Sequence, residues 1–296
     1  MRLDYRRTAQ RGNRALPPDK SHDSRIGDDI HVDLAGRMTY GDYLKLDTLL
    51  SAKQPITVKH DEHLFITIHH VQELWMSLFA HELEAAIRFV DGDTLPPAFK
   101  CLARITRILE QMKSAWDVLS TMTPSDYLEF RHELGQSSGL QSYQYRLVEF
   151  RLGAKDMRML LPHRHRADIH AKLEQALRAP SLYDAALALL KRRGFPVPDD
   201  AVHRDFSQRH VFDPAIRDVW LSIYRNADRY FDVYELAEEL VDLEDWFQQW
   251  RFRHMKTVER IIGYKRGTGG SSGVGFLKSA LDQSFFPELW DVRTHL

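Results

Sequence analysis

Apolar residues recur at steps of three and four along most of this chain, and no stretch alternates apolar with polar for the length of a strand. The pattern predicts an all-α fold. One helix is expected from about residue 62 to 90, burying Leu64, Ile68, Val71, Trp75, Leu78 and Phe79. A second, at about 97–121, carries Leu102, Ile105, Leu109, Met112, Trp116 and Leu119. Thr123-Pro-Ser-Asp126 is a start signal, with an N-cap threonine, a proline in the first turn and an acid three residues on. The helix it opens holds Tyr127 and Arg131 on one face and breaks at Leu134-Gly-Gln-Ser-Ser-Gly139. Further helices are expected at about 141–153 and, shorter, between 172 and 193. The Pro196-Val-Pro198 loop then leads to a long C-terminal pair. In the last of these, Leu240, Leu243, Phe247, Trp250, His254, Thr257 and Ile261 share a face, so His254 points inward.

No repeat and no sharp shift in composition marks a boundary. Residues 31–296 therefore form a single helical domain, with a small helical insertion at about 165–210. Residues 1–30 are polar and basic and are expected to be a disordered head. At 296 residues, 43% apolar, the chain can bury a large core. A formal net charge of −1, with charges of both signs interspersed, offers no basic face for a nucleic acid. No stretch approaches the roughly eighteen apolar residues of a membrane span, and the first thirty lack a signal-peptide core. Cys101 is the single cysteine, which rules out an intrachain disulfide, cysteine-based zinc or iron–sulfur sites, and haem attachment through Cys-x-x-Cys-His. A reducing, cytoplasmic setting is expected.

Chemistry is concentrated near the C-terminus. A histidine in an apolar stripe is most often a core residue satisfied by a carbonyl or carboxylate. Arg251 and Arg253 bracket His254, however, and suit a metal centre with an anionic periphery, which makes His254 a candidate axial ligand. After the helix come six glycines between Gly263 and Gly275. The loop is not a Walker A sequence, because Lys265 precedes the glycines, and it lacks the strand and spacing of a dinucleotide fingerprint. Only a short aromatic-rich segment follows it, so a lid closing over a ligand is preferred to a linker. Upstream, Phe65 and His69 share a helical face, as Tyr127 and Arg131 are expected to do. Together they outline an amino-acid pocket: Arg131 for a carboxylate, Phe65 against a flat ring, His69 for a ring N–H. A di-iron bundle needs two Glu-x-x-His motifs, and only Glu129-x-x-His132 is present. His60-Asp-Glu-His63 is a helix start with dipole-compensating acids.

Four ordered motifs carry a family resemblance. They are Leu-Phe-Ile-x-x-His69-x-x-x-Glu-Leu-Trp75, Ser-Ser-Gly139-x-Gln-Ser-x-Gln-Tyr-Arg146, Trp250-Arg-Phe-Arg-His-Met255 and Lys265-Arg-Gly-Thr-Gly-Gly-Ser-Ser-Gly273. With Asp33-Leu-x-Gly-Arg-x-Thr-Tyr40-Gly-x-Tyr43-Leu and Phe285-Phe-Pro-Glu-Leu-Trp-Asp-Val-Arg293, the chain from about His31 to Arg293 resembles the tryptophan 2,3-dioxygenases. The resemblance implies an all-helical homotetramer with one haem b per subunit, ferrous when active and held by His254. It implies that L-tryptophan and O2 become N-formyl-L-kynurenine, the first step of tryptophan breakdown. By motif position, Arg131 would bind the substrate carboxylate, Thr268 the ammonium together with a haem propionate, and His69 the indole N–H. Phe65 and Tyr127 would line the pocket, and Tyr40, Tyr43 and Leu44 match an arm that reaches a neighbouring subunit's site. His70, Leu140 and Phe231 depart from the family pattern, where glutamine, phenylalanine and tryptophan are usual. His70 is turned by about 100° from the face of Phe65, which leaves His69 as the distal candidate. A broader-range indoleamine dioxygenase and a non-catalytic haem sensor are the alternatives.

Overall fold

A computed structural model describes residue 31 and residues 33–296, so the expected N-terminal head lies outside the described residues. These form thirteen α-helices joined by turns and short 3-10 segments, and no strand occurs among them. The described residues fall into two units, one ending at residue 52 and one spanning 53–296. In the first, α1 (Tyr40–Leu44) opens on a capping box in which Thr39 and Asp42 satisfy each other's backbone N–H. It turns through Lys45, in the left-handed region, into α2 (Leu46–Ser51).

The second unit is built on three helices. α3 (His60–Asp91) starts where Glu62, buried, accepts hydrogen bonds from the Ile56 and Thr57 amides at 2.7 and 2.8 Å and closes the preceding loop. α4 (Leu95–Leu119) begins with Pro96 and Pro97, whose missing N–H groups cost nothing in a first turn. α5 (Pro124–Leu128) has the expected Thr123–Asp126 capping box, but it ends after five residues. Arg131 opens a separate 3-10 turn, Arg131–Leu134, stopped by Gly135 at φ 56°. The expected single helix carrying Tyr127 and Arg131 is therefore two elements, with buried Phe130 packing into the core at the break.

α6 (Tyr143–Leu152) is capped by Ser142 and ends at Gly153 with φ 110°. α7 (Ala167–Arg178) begins before the 172–193 stretch in which the shorter helices are expected, and its Leu173, Ala176 and Leu177 form a small core with Phe150 and Leu160. α8 (Leu182–Arg192) is buried along most of its length in the main core, against α3. α9 (Asp199–Val202) is a single turn, and α10 (Pro214–Tyr224) precedes α11 (Phe231–Ile262). Instead of a long C-terminal pair there is one 32-residue helix preceded by an 11-residue one. α12 (Val274–Leu281) packs on α11, and α13 (Pro287–His295) on α10.

α4 lies against both α3 and α11 and is the shared wall of the molecule. Its predicted stripe, Leu102 to Leu119, is wholly buried. The predicted face of α3 is turned. Ile68, Gln72, Met76, Phe79, Leu83, Ala86 and Val90 are buried, whereas Leu78 is exposed and Leu64, Val71 and Trp75 are half-buried. α3 is apolar over a wide arc, and the packing of α4 and α8 selects which part of that arc becomes core. No helix among the described residues is long and apolar enough to cross a membrane.

Candidate functional site

A cavity of about 1420 Å³ opens between α3, α4, α6 and α11, with the glycine loop and α12 along one side. It exceeds the roughly 300–1,000 Å³ of an ordinary small-ligand pocket, so it has room for two guests. Phe65, His69, Tyr127, His254 and Thr268 all line it, although they come from four separate parts of the chain.

His254 sits where the α11 stripe predicts. Its ring stacks on Trp116 of α4, with centroids 4.5 Å apart and planes at 15°, and it also meets Trp250 at 5.9 Å. Neither ring nitrogen has a hydrogen-bond partner among the described residues, and the part of the ring that is not covered faces the cavity. Burial, helped by the nearby His69, pushes its pKa down to about 4. The imidazole is therefore neutral near pH 7, the form that can ligate a metal.

The flanking arginines do not serve as their positions suggested. Arg253 is turned outward onto Asp117 and Ser120. Arg251 does line the cavity, but its guanidinium is held by Glu149 at 3.0 Å, the Ala280 carbonyl at 2.9 Å and the Tyr145 hydroxyl at 3.3 Å. Glu149 is shared with Arg146, so two buried guanidiniums face one carboxylate. Around the wall, four guanidiniums (Arg146, Arg158, Arg209 and Arg251) stand against Glu73, Glu149 and Asp156, a small basic excess that suits an anionic guest. Lys155, its pKa pushed down to about 7 chiefly by burial, is bonded to the Ala176 and Ala179 carbonyls. The Tyr145 phenol, pushed up to about 12 chiefly by burial, stays uncharged.

Across the cavity, His69 Nδ1 lies 2.7 Å from the Phe65 carbonyl oxygen. A carbonyl can only accept, so Nδ1 carries the proton and Nε2 is left with a lone pair. Burial lowers the His69 pKa more than its hydrogen bond and Glu73 raise it. The neutral ring packs on Phe65 at 4.1 Å, and Phe65 in turn contacts Tyr127 at 5.8 Å. The result is an aromatic pocket that offers one acceptor, the complement of a flat ring bearing one N–H.

Arg131 stands just outside the cavity lining. Its Nη2 donates to the Arg266 carbonyl at 2.5 Å, while its Nε is buried with no partner among the described residues. The glycine loop is seated on the same segment. Thr268 Oγ1 donates to the Ser137 carbonyl, and Gly269 lies so close to Ser138 that an added Cβ would come within 2.6 Å of it. At Gly273, with φ 61°, an added Cβ would meet the Lys265 carbonyl oxygen at 2.7 Å. These two glycines shape the loop for close contact with its support.

Tyr40, Tyr43 and Leu44 lie on α1 and are 76%, 74% and 40% exposed. Among the described residues no group of three or more His, Cys, Asp or Glu is placed to hold a metal ion, and His163 is buried without a partner for its Nε2. Among the cavity residues that the sequence did not single out as functional are Trp116, Gln72, Tyr145 and the Glu149 that ties Arg146 to Arg251. Trp116 was readable as core, but its buried indole N–H, unpaired among the described residues, is the mark of a site that expects a further partner.

The family profile described as tryptophan 2,3-dioxygenase matches residues 27–296. The chain is similar to proteins named tryptophan 2,3-dioxygenase from Bacillus thuringiensis (strain Al Hakam), Geobacillus thermodenitrificans (strain NG80-2) and Paraburkholderia phytofirmans (strain DSM 17436 / LMG 22146 / PsJN). Each is 54% identical over 90% of this chain, and the alignments cover 96%, 95% and 88% of those proteins.

Proposed function

The chain belongs to the tryptophan 2,3-dioxygenase family, and from that premise we propose how its cavity carries out the reaction. The protein is an oxidoreductase that joins O2 to tryptophan, opening the indole C2–C3 bond to give N-formyl-L-kynurenine. The observation that carries the site assignment is the pairing of two neutral histidines across one cavity. His254 has both ring nitrogens free among the described residues, and His69 presents an acceptor beside an aromatic wall.

The residues present fit a haem. A neutral, otherwise unbonded imidazole is the donor an iron porphyrin requires, and the basic excess on the wall matches propionates. His254 would hold the iron, and Thr268 would reach a propionate. When bound, haem b in its ferrous state supplies the oxygen activation that no side chain can provide. The protein's part is placement. His69 Nε2 accepts the indole N–H, while Phe65 and Tyr127 flank the ring. Arg131, whose guanidinium now rests on the Arg266 carbonyl just outside the lining, would turn in to clamp the carboxylate, and Thr268 would meet the ammonium. Fixing both charged ends turns a random encounter into a positioned one. The seated glycine loop keeps water from the reacting bond.

We further assign the working form to a homotetramer in the cytoplasm, in which Tyr40, Tyr43 and Leu44 of each chain complete a neighbour's substrate site. Their exposure on a short helix supports this reading. The broader indoleamine dioxygenase and haem-sensor readings gain nothing from the relatives found.

The test is to load the protein with haem, reduce it anaerobically, add L-tryptophan and then 18O2, and weigh the product. N-formylkynurenine carrying both labelled atoms is the expected result. Haem uptake without that product would overturn the proposed chemistry of the site.

A further inference from the structure

His254 has ring packing but no hydrogen bond to orient it, so whatever fixes Trp250 and Trp116 also fixes the imidazole plane. Trp250 lies four residues before His254 on α11, and its indole N–H is tied down by one side chain. Gln72, on α3 and 5% exposed, accepts that N–H on Oε1 at 3.2 Å and donates from Nε2 to the Met112 carbonyl of α4 at 2.7 Å. The amide has only one consistent orientation, because an indole N–H can only donate and a carbonyl only accept. Gln72 is also three residues beyond His69. A single amide thus joins the helices carrying the two histidines, within about one turn of each, and bonds to the wall between them.

We propose that Gln72 is a positioning residue that sets the orientation of His254 through Trp250. The proposal rests on the reading of His254 as haem ligand. An apolar side chain of the same length would fill the space but release the Trp250 indole, which could then turn within its aromatic cluster of Trp116, Tyr145 and Phe247. The consequence would be a shifted imidazole plane with the substrate pocket around Phe65 and Arg131 left intact. Placement at the iron would change more than substrate capture.

The full-length, haem-loaded ferrous protein is compared as wild type, Gln72→Met, Trp250→Phe, the double variant and Gln72→Glu, reading the iron–imidazole vibration by resonance Raman together with kcat and KM. Gln72→Met is expected to shift and broaden the band and lower kcat about tenfold, with KM for tryptophan within about twofold. Trp250→Phe should give the same shift, and the double variant no more than either single one, because both cut one connection. Gln72→Glu should restore the wild-type band, since a buried neutral carboxylic acid donates to Met112 and accepts from Trp250. An unmoved band in Gln72→Met, or additive effects in the double variant, would overturn the proposal. If Gln72→Met does not fold, Trp250→Phe against Gln72→Glu decides it: a shifted band in the first and a wild-type band in the second support the connection, and the reverse refutes it. The wild-type band and its loss in His254→Ala are measured first. Their absence would defeat the ligand reading itself, whereas their presence beside an unmoved Gln72→Met band would defeat only the role of Gln72.

Discussion

The proton on His69 is held at Nδ1 by the Phe65 carbonyl, and this limits what the residue can do. A ring whose pKa is lowered by burial is a weak base, so in the proposed site its contribution would be one hydrogen bond to the indole and not an obligatory proton abstraction. His69→Ala should therefore lose on the order of tenfold in kcat/KM, in keeping with about 1.5 kcal/mol for one hydrogen bond, and stay well above free haem. Turnover at the level of free haem would show that His69 is an essential base. The role proposed for Arg131 is of a different kind. With its buried Nε awaiting a partner, Arg131→Ala should raise KM for L-tryptophan by roughly 10–100-fold, worth about 1.5–3 kcal/mol, and leave tryptamine, which lacks the carboxylate, little affected. Equal losses for both substrates would show that the carboxylate binds elsewhere. His254 predicts a pH dependence. Its folded pKa is depressed from 6.5 to about 4, so between those values the unfolded chain binds more protons. Stability of the haem-free protein should be complete above about pH 6.5 and decline as the pH falls toward 4, by less than about 3 kcal/mol because the ring also meets the cavity. His254→Leu should flatten that part of the Tm–pH curve. His254 was legible because it lies in an apolar stripe of period 3.6, and His69 because it shares a helical face with Phe65 four residues before it. The partner of Arg131 was not legible, because the Arg266 carbonyl is 135 residues away and no local spacing encodes it.

Among the elements, the glycine loop depends most on atomic fit. Its conformation leaves no space at Gly269 for a Cβ, because Ser138 occupies that position. Gly269→Ala should unseat the loop and lower kcat/KM by about ten- to a hundredfold, in line with the 1–3 kcal/mol of overpacking, while the haem spectrum without substrate stays unchanged. Ser138→Gly removes the obstructing atoms, so the double variant should recover part of the loss. Simple additivity would mean that the loop acts by flexibility alone and not by docking. Composition singled this loop out as a candidate lid, but the segment it is seated on could be found only in three dimensions. The same boundary between local and distant information runs through the helices. Capping boxes at Thr123 and Ser181 mark starts, as short-range hydrogen-bond patterns should. The early end of α5 and the turned face of α3 are set by Phe130 and by the neighbours α4 and α8, which a helical period does not specify.

For the molecule as a whole, the open matter is whether one chain makes one complete site. Residues 53–296 carry the cavity, yet the unit before them presents Tyr40, Tyr43 and Leu44 to solvent, a costly display of apolar area for a helix of five residues. If those side chains complete a neighbour's pocket, two crippled chains can repair each other. Subunits with Tyr43→Ala keep Arg131 but lack a working arm, and subunits with Arg131→Ala keep the arm but lack the clamp. Each homo-oligomer should be poorly active while still binding haem. Unfolded together and reassembled in equal amounts, a site recovers when its own chain supplies Arg131 and its neighbour supplies Tyr43, which random assembly satisfies in about a quarter of sites. Activity returning to about that fraction of wild type would establish that the arm acts in trans. Activity no higher than the mean of the two parents would mean that each chain completes its own site, and the exposed tyrosines would then need another explanation.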